Sequence, residues 1–485
     1  MKKLITLLAL MLTLTANAQK KREFRGAWIQ CVNGQFLGMG TLRMQQTLRQ
    51  QLDELKKDGV NAIIFQVRPE CDALYASGIE PWSRFLTGQQ GVAPTPYWDP
   101  LQWMIDECHA RDMELHAWIN PYRARTKTTK QLASSHIAIR KPLNCFEYDG
   151  LTILNPGIPE NRDYICMVAR DIVKRYDVDG IHMDDYFYPY PAAGEYIPDA
   201  TEYRIFGRKF SDIGDWRRDN VNRFIRQFYE TVHKTKPWVK VGISPFGIYR
   251  NRRSDVKGSN TNGLQNYDDL YADVLLWINK GWLDYCVPQV YWEIGNSAAD
   301  YATLVRWWND YAGNRPLFIG EDIERTAKFK QQSVKHQIYM QSHQVQGTVL
   351  WYAKAAVDNV GNYGTNLRNN YWKTPALMPS MHFIDKKAPK KPRKVKVLWA
   401  DGDKVLFWTA PRGKSWKDKA VKYVVYRFAL GEPVNTDNPL KIVAVTSDTY
   451  LKLPYVNGRQ QYTYVITALD RMHNESKIVK EKVNL

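Results

Sequence analysis

The stretch "DGIHMDDYFYP" (residues 179–189) decides how the chain is read. Its first part, "DGIHMDDY" (179–186), is short, largely apolar and closed by two adjacent aspartates. Such a run suits a strand buried on both faces, as in a parallel sheet. Adjacent carboxylates repel each other, so Asp184 and Asp185 stay together only where water or chemistry wants both. On a strand, His182 and Asp184 share parity and face one way, while Asp185 turns toward the strand's end. The reading therefore requires parallel neighbours and a site at the C-terminal ends of the strands.

Seven more runs supply those neighbours: "EFRGAWIQ" (23–30), "NAIIFQVRP" (61–69), "ELHAWINPY" (114–122), "VKVGISPFG" (239–247), "YCVPQVYW" (285–292), "PLFIGEDI" (316–323) and "GTVLWYA" (347–353). Amphipathic helices separate them. Leu48, Leu52 and Leu55 share one face, with Gly59 where a C-terminal cap is wanted. Asp99 can cap the next helix, and Pro100 suits its first position. Val221, Phe224, Ile225, Phe228 and Val232 form a third apolar stripe. Eight such units predict an α/β fold, a (β/α)8 TIM barrel over residues 19–383. A doubly wound open sheet is the alternative, but no glycine-rich phosphate loop follows any strand. A lysine–proline linker, "IDKKAPKKPRK" (384–394), then precedes six or seven short alternating strands. These predict a small all-β sandwich over 395–485, whose "VVYRF" and "YVITALD" strands resemble a fibronectin type III module.

Composition narrows the function. Residues 1–18 carry two lysines, an apolar core and Ala16-Asn17-Ala18, the pattern of a signal peptide, so the protein is expected to be exported, periplasmic or secreted. Net charge is +18, and residues 389–485 hold 19 basic against 9 acidic residues, so the excess is concentrated in the sandwich. That charge suits peripheral contact with an anionic wall or membrane, or a merely solvated face. The basic residues form no stripe interleaved with aromatics, which argues against nucleic acid. The six cysteines show no CxxC, and the nine histidines no H-x3-H pair, so no metal or cofactor is expected. Buried free thiols are expected, with Cys31 and Cys71 as the one candidate disulfide. No long apolar helix advertises an interface, and a monomer is expected. Aromatic residues make up 13% of the chain, a usage that suits a carbohydrate cleft as well as a packed core.

The strand ends carry the candidate chemistry. In order they bring Trp28; Arg68 and Glu70; Asn120, Tyr122 and Arg123; His182, Asp184 and Asp185; Tyr291, Trp292 and Glu293; and Trp351. Carboxyls, amides and indoles at one mouth are the mixture that glycoside hydrolysis needs. Asp184, Asp185 and Glu293 are the candidate catalytic residues, and the others are candidate substrate contacts. In one scheme Asp184 is the nucleophile and Glu293 the acid. In another, one aspartate of the pair orients an N-acetyl group that attacks its own sugar, while its neighbour protonates the leaving oxygen. Arg68 and Arg123 would grip a substrate carboxylate or fix Glu70 and Asp184. Trp292 and Trp351 would be sugar platforms or barrel-top core. Two other classes compete: a metal-dependent carbohydrate deacetylase and a non-catalytic glycan-binding barrel.

The motifs "FRGAWIQ", "FQVRPECDALYASGIEPWSRFLTGQQG", "WDPLQWMIDECHARDMELHAWINPYR", "ILNPGIPENRDYI", "YDVDGIHMDDYFYPYP", "VGISPFGIYRN" and "DYCVPQVYWEIGN" resemble the glycosyl-hydrolase-like barrel family numbered ten. The resemblance runs collinearly through most of residues 23–375. It implies a glycosidase barrel linked to bacterial cell-wall glycan strands, with Asp184 and Asp185 catalytic and Glu293 a further candidate. Cys71 departs from the glycine expected in "RPExDALY", and Glu321 stands where a neutral residue is expected before an acid. The expected protein is an exported glycoside hydrolase acting on an N-acetylhexosamine polymer, peptidoglycan first.

Overall fold

The computed structural model describes residues 19–485; the expected signal peptide, 1–18, lies outside the described residues. These residues form two compact units, Arg25–Gly364 and a second made of residues 19–24 with Thr365–Leu485.

The first unit is a closed parallel barrel of eight strands in sequential order. They are β1 (Phe24–Ile29), β2 (Ala62–Arg68), β3 (Glu114–Ile119), β4 (Gly180–Met183), β5 (Lys240–Ile243), β6 (Tyr285–Cys286), β7 (Leu317–Asp322) and β8 (Val345–Trp351). Sequential parallel order follows from right-handed crossovers, each carrying a helix back to the barrel's start. The sixth strand stops well short of the expected 285–292. Pro288 has no N–H to give to the ladder, and only the isolated bridges of Gln289 to Phe246 and Gly320 continue the pairing. That early release frees Gln289, Tyr291 and Trp292 to line the mouth.

The helices begin and end where local chemistry dictates. Helix α1 (Thr41–Lys57) buries Leu48, Leu52 and Leu55, and Gly59 (φ 93°) closes it by donating to the Lys56 carbonyl at 3.1 Å. Helix α2 (Pro100–His109) starts with Asp99 accepting from the Gln102 N–H at 3.2 Å. Helix α3 (Pro159–Arg175) follows the third strand's long connection, and the stripe on α4 (Ile213–Thr235) is buried as expected.

Residues 123–154 hold an element that the strand–helix alternation does not contain. Arg123–Arg125, Leu151–Leu154 and Cys145–Tyr148 form a three-stranded antiparallel sheet inserted between β3 and α3. Asp149 and Gly150 connect two of its strands with φ of 46° and 72°, the positive pair a two-residue hairpin demands.

The second unit is all-β, with one three-stranded and one four-stranded antiparallel sheet. The four-stranded sheet is covered on both faces, by Leu406, Trp408 and Leu453 on one and by Leu377 on the other. Residues 384–394 carry no regular element until Arg393 opens the first strand. All six cysteines are free, Cys31 and Cys71 included.

Candidate active site

At the C-terminal mouth of the barrel lies a cavity of about 380 Å³. Its walls include Trp28, Trp118, Arg123, Asp184, Tyr291 and Trp351. The turn after β4 places the aspartate pair. The strand ends at Met183, and the Phe187 ring then anchors the turn between Phe224 and Trp277. Asp184 and Asp185 are thereby held just past the strand end, 4% and 1% exposed.

A directional hydrogen-bond relay reaches Asp184. The backbone N–H groups of Cys31 and Val32 donate to Gln66 Oε1 at 2.9 and 3.0 Å. Gln66 therefore turns its Nε2 toward Asn120 Oδ1, at 2.7 Å. Asn120 in turn has only its Nδ2 left for Asp184, and it donates to Asp184 Oδ2. A backbone-fixed donor favours the ionised carboxylate. Burial pushes the Asp184 carboxyl up to about 6, against the Arg123 charge and the Asn120 donor. Burial and the neighbouring Asp184 charge push Asp185 further, to about 7. The Tyr190 hydroxyl, on the cavity wall, donates to Asp185 Oδ2. In each carboxyl the other oxygen, Oδ1, is buried without a hydrogen-bond partner. Asp184 is thus the more readily ionised of the two, and the pair holds one carboxylate and one acid between about pH 6 and 7.

The remaining candidates separate into wall, floor and scaffold. Trp28, Trp351 and Tyr291 form one aromatic cluster, Tyr291 stacked on Trp351 at 6.0 Å and Trp28 edge-on to both. Trp292 lies edge-on to Phe246 at 5.3 Å. His182 is beneath them in the barrel interior, with Ser244 Oγ at 3.0 Å and Tyr285 Oη at 3.1 Å. Burial and nearby His116 drive its pKa well below the usual range, so it is a neutral support for the floor.

Four expectations are corrected by position. Arg68 is fully buried, clamped on Glu80 at 2.6 Å and donating to the carbonyls of Asn120 and Pro121. Glu70 accepts from the Thr129 hydroxyl at 2.7 Å and from the Thr126 N–H at 2.5 Å, so it ties down the inserted sheet. Tyr122 is buried against Phe224. Glu293 is not in the cavity wall. It pairs with Arg325 at 3.3 Å and accepts from Asn296 at 2.8 Å, and the Asn296 bond leads in holding its carboxyl below the usual range. A carboxyl held ionised in that way is a poor general acid. Asp322 caps the helix after β7, and Glu321 beside it accepts from Tyr363 Oη at 2.9 Å.

Sequence reasoning missed Gln66, Trp118, Tyr186, Tyr190, Ser244, Phe246 and Gln289, all lining residues. Parity would have found Trp118, which shares a strand face with His116 and Asn120. Tyr186 and Tyr190 stand inside the motif that holds the aspartates. Among the described residues, no group of three or more His, Cys, Asp or Glu is placed to hold a metal ion.

The model of the family described as glycosyl hydrolase-like 10 matches residues 23–340, strands β1 to β7 and the aspartate pair included. The chain belongs to that family. Glycosyl hydrolase YngK of Bacillus subtilis is 39% identical over 96% of this chain and 94% of its own length. Glycosyl hydrolase DigH of Escherichia coli is 41% identical over 55% of this chain and 62% of its own. Among solved structures, the PgaB (BpsB) glycoside hydrolase domain from Bordetella bronchiseptica is similar with a TM-score of 0.48 at 11% identity, covering 73% of this chain and 100% of that one. As a glycosyl hydrolase-like 10 member, the chain is a glycoside hydrolase with a carbohydrate substrate.

Proposed function

We propose that this glycoside hydrolase is exported and cleaves N-acetylhexosamine glycan strands, peptidoglycan above all, using Asp184 and Asp185 as a pair. The observation that carries the reading is the relay through Gln66 and Asn120. It fixes Asp184 as an acceptor while Asp185, beside it, gives up its proton only near pH 7. The ionised Asp184 accepts the acetamido N–H at its free Oδ1 and polarises the group. The acetamido oxygen attacks C1 as the glycosidic bond breaks, and the leaving oxygen takes the proton of Asp185. Water then opens the resulting oxazoline ring. An unsubstituted sugar offers Asp184 no N–H, which is why the adjacent acids favour an N-acetylated substrate.

The deacetylase reading needs a ligand set that the residues at this mouth do not supply. For the second unit, the division into three and four strands and the net positive charge support a fibronectin type III-like module that lies against an anionic wall. The test is mass spectrometry of glycan strands, peptide-bearing and stripped, incubated with wild type, Asp184→Asn and Asp185→Asn. Shortened strands from wild type alone are expected. Equal shortening by all three proteins would remove the pair from the mechanism.

A further inference from the structure

Beside the catalytic cavity lies a second one of about 360 Å³, and nothing in the chemistry above uses it. The two share a wall made of Arg123, Tyr186 and Tyr190. Tyr186 is 38% exposed and stands between them, with its ring 5.3 Å from that of Tyr190. The aromatic strip continues on the catalytic side through Phe246, 6.1 Å from Tyr190, to Trp292. On the far side the second cavity is closed by the inserted sheet, through Tyr148, Leu151 and Ile153.

Arg123 sits at the seam. Its Nε donates to the Pro69 carbonyl at 3.1 Å, and its guanidinium lies over Tyr186 at 5.2 Å. Its Nη2 is buried with no hydrogen-bond partner, in a residue only 9% exposed. A buried donor left open is costly unless an acceptor arrives. The cavity beside it is aromatic and aliphatic with polar groups at its rim, the composition that receives one face of a pyranose ring while its hydroxyls reach outward.

We propose that this second cavity is a sugar subsite, holding a neighbouring ring of the same glycan strand whose N-acetylhexosamine occupies the catalytic cavity. Arg123 Nη2 donates to an oxygen at the junction of the two rings, and Tyr186 separates them. The occupant follows from continuity: the walls are shared, so a chain leaving the first cavity past Tyr186 enters the second. The inference rests on the glycan-strand reading. It adds that the enzyme grips an extended chain and prefers longer strands.

The test is titration calorimetry in an Asp185→Asn background, which blocks turnover. The probes are fragments of two, four and six sugars from peptide-free peptidoglycan. Affinity is expected to rise about tenfold from the shortest fragment to the longer ones, the equivalent of one further ring bound. Leu151→Trp, which fills the cavity, is expected to flatten that rise, and Leu151→Ala, which widens it, to reduce it several-fold. A rise that persists in both variants, or is missing in the Asp185→Asn protein itself, overturns the subsite and leaves the substrate reading intact. Absence of binding at every length overturns the substrate reading and the subsite with it.

Discussion

The two ends of the barrel hold buried acids in opposite states. At the N-terminal end, Glu114 accepts from Lys240 Nζ at 2.8 Å and lies 2.9 Å from His116 Nε2, whose other nitrogen meets Tyr285 Oη at 2.7 Å. Both Glu114 oxygens are engaged, and its charge is matched by a buried lysine. At the C-terminal end, Asp184 and Asp185 each keep one oxygen without a partner, and their carboxyls are pushed up to about 6 and 7. A completed network rigidifies and holds the strands together. An incomplete one stores a cost that a substrate can relieve. On the proposed mechanism, the same residue type therefore serves stability at one end and reaction at the other.

The contrast can be broken most directly by Asp184→Asn. Hydrolysis is expected to fall by about 10³-fold with the melting temperature held or raised, read by product formation beside a thermal melt. Glu114→Ala should do the reverse. It strands the Lys240 charge and costs about 3–5 kcal/mol in denaturant unfolding, with kcat preserved while the protein stays folded. Removal of the open end's charge gives a third comparison. Both aspartates bind protons more tightly folded than unfolded, so stability falls as pH rises from about 4 to 7. Asp185→Asn removes its share of that slope. It is expected to be more stable than wild type by on the order of 2–4 kcal/mol at pH 8, with the gain vanishing below about pH 4.

Smaller effects sharpen the picture. A carboxylate and an acid together give a bell-shaped pH profile, rising as Asp184 ionises and falling as Asp185 does. Asn120→Ala withdraws the donor that favours ionised Asp184. The rising limb should move to higher pH and kcat should drop about tenfold; an unmoved limb would separate the relay from the chemistry. Trp292→Ala, at the edge of the mouth, is expected to raise KM roughly fivefold with little change in kcat.

The barrel was legible because each strand carries its own burial signature: seven of the eight observed strands lie within the expected runs, and the eighth begins two residues before its own. The sixth misled because "YCVPQVYW" has strand composition throughout, whereas Pro288 ends regular pairing almost at once. The aspartate pair was legible from a strand end and from motif resemblance. Glu293 was not, because its distance along the chain from Tyr291 says nothing of the turn that carries its side chain to Arg325. Arg68 and Glu70 stand at a strand end like the others, yet Arg68 faces Glu80 and Glu70 faces the inserted segment. Partners so distant in sequence leave no local mark. The inserted sheet did leave one, in Asp149-Gly150 between two alternating runs, but an eight-fold repeat offers no slot for it.

The insertion has its own ladder. Among the described residues its three strands pair only with one another, and Glu70, Cys71 and Arg123 rivet it to the barrel rim. Residues 123–154 are therefore a cassette in the engineering sense. Lengthening, shortening or exchanging that hairpin would retune which polymers fit without redrawing the barrel that carries the reaction.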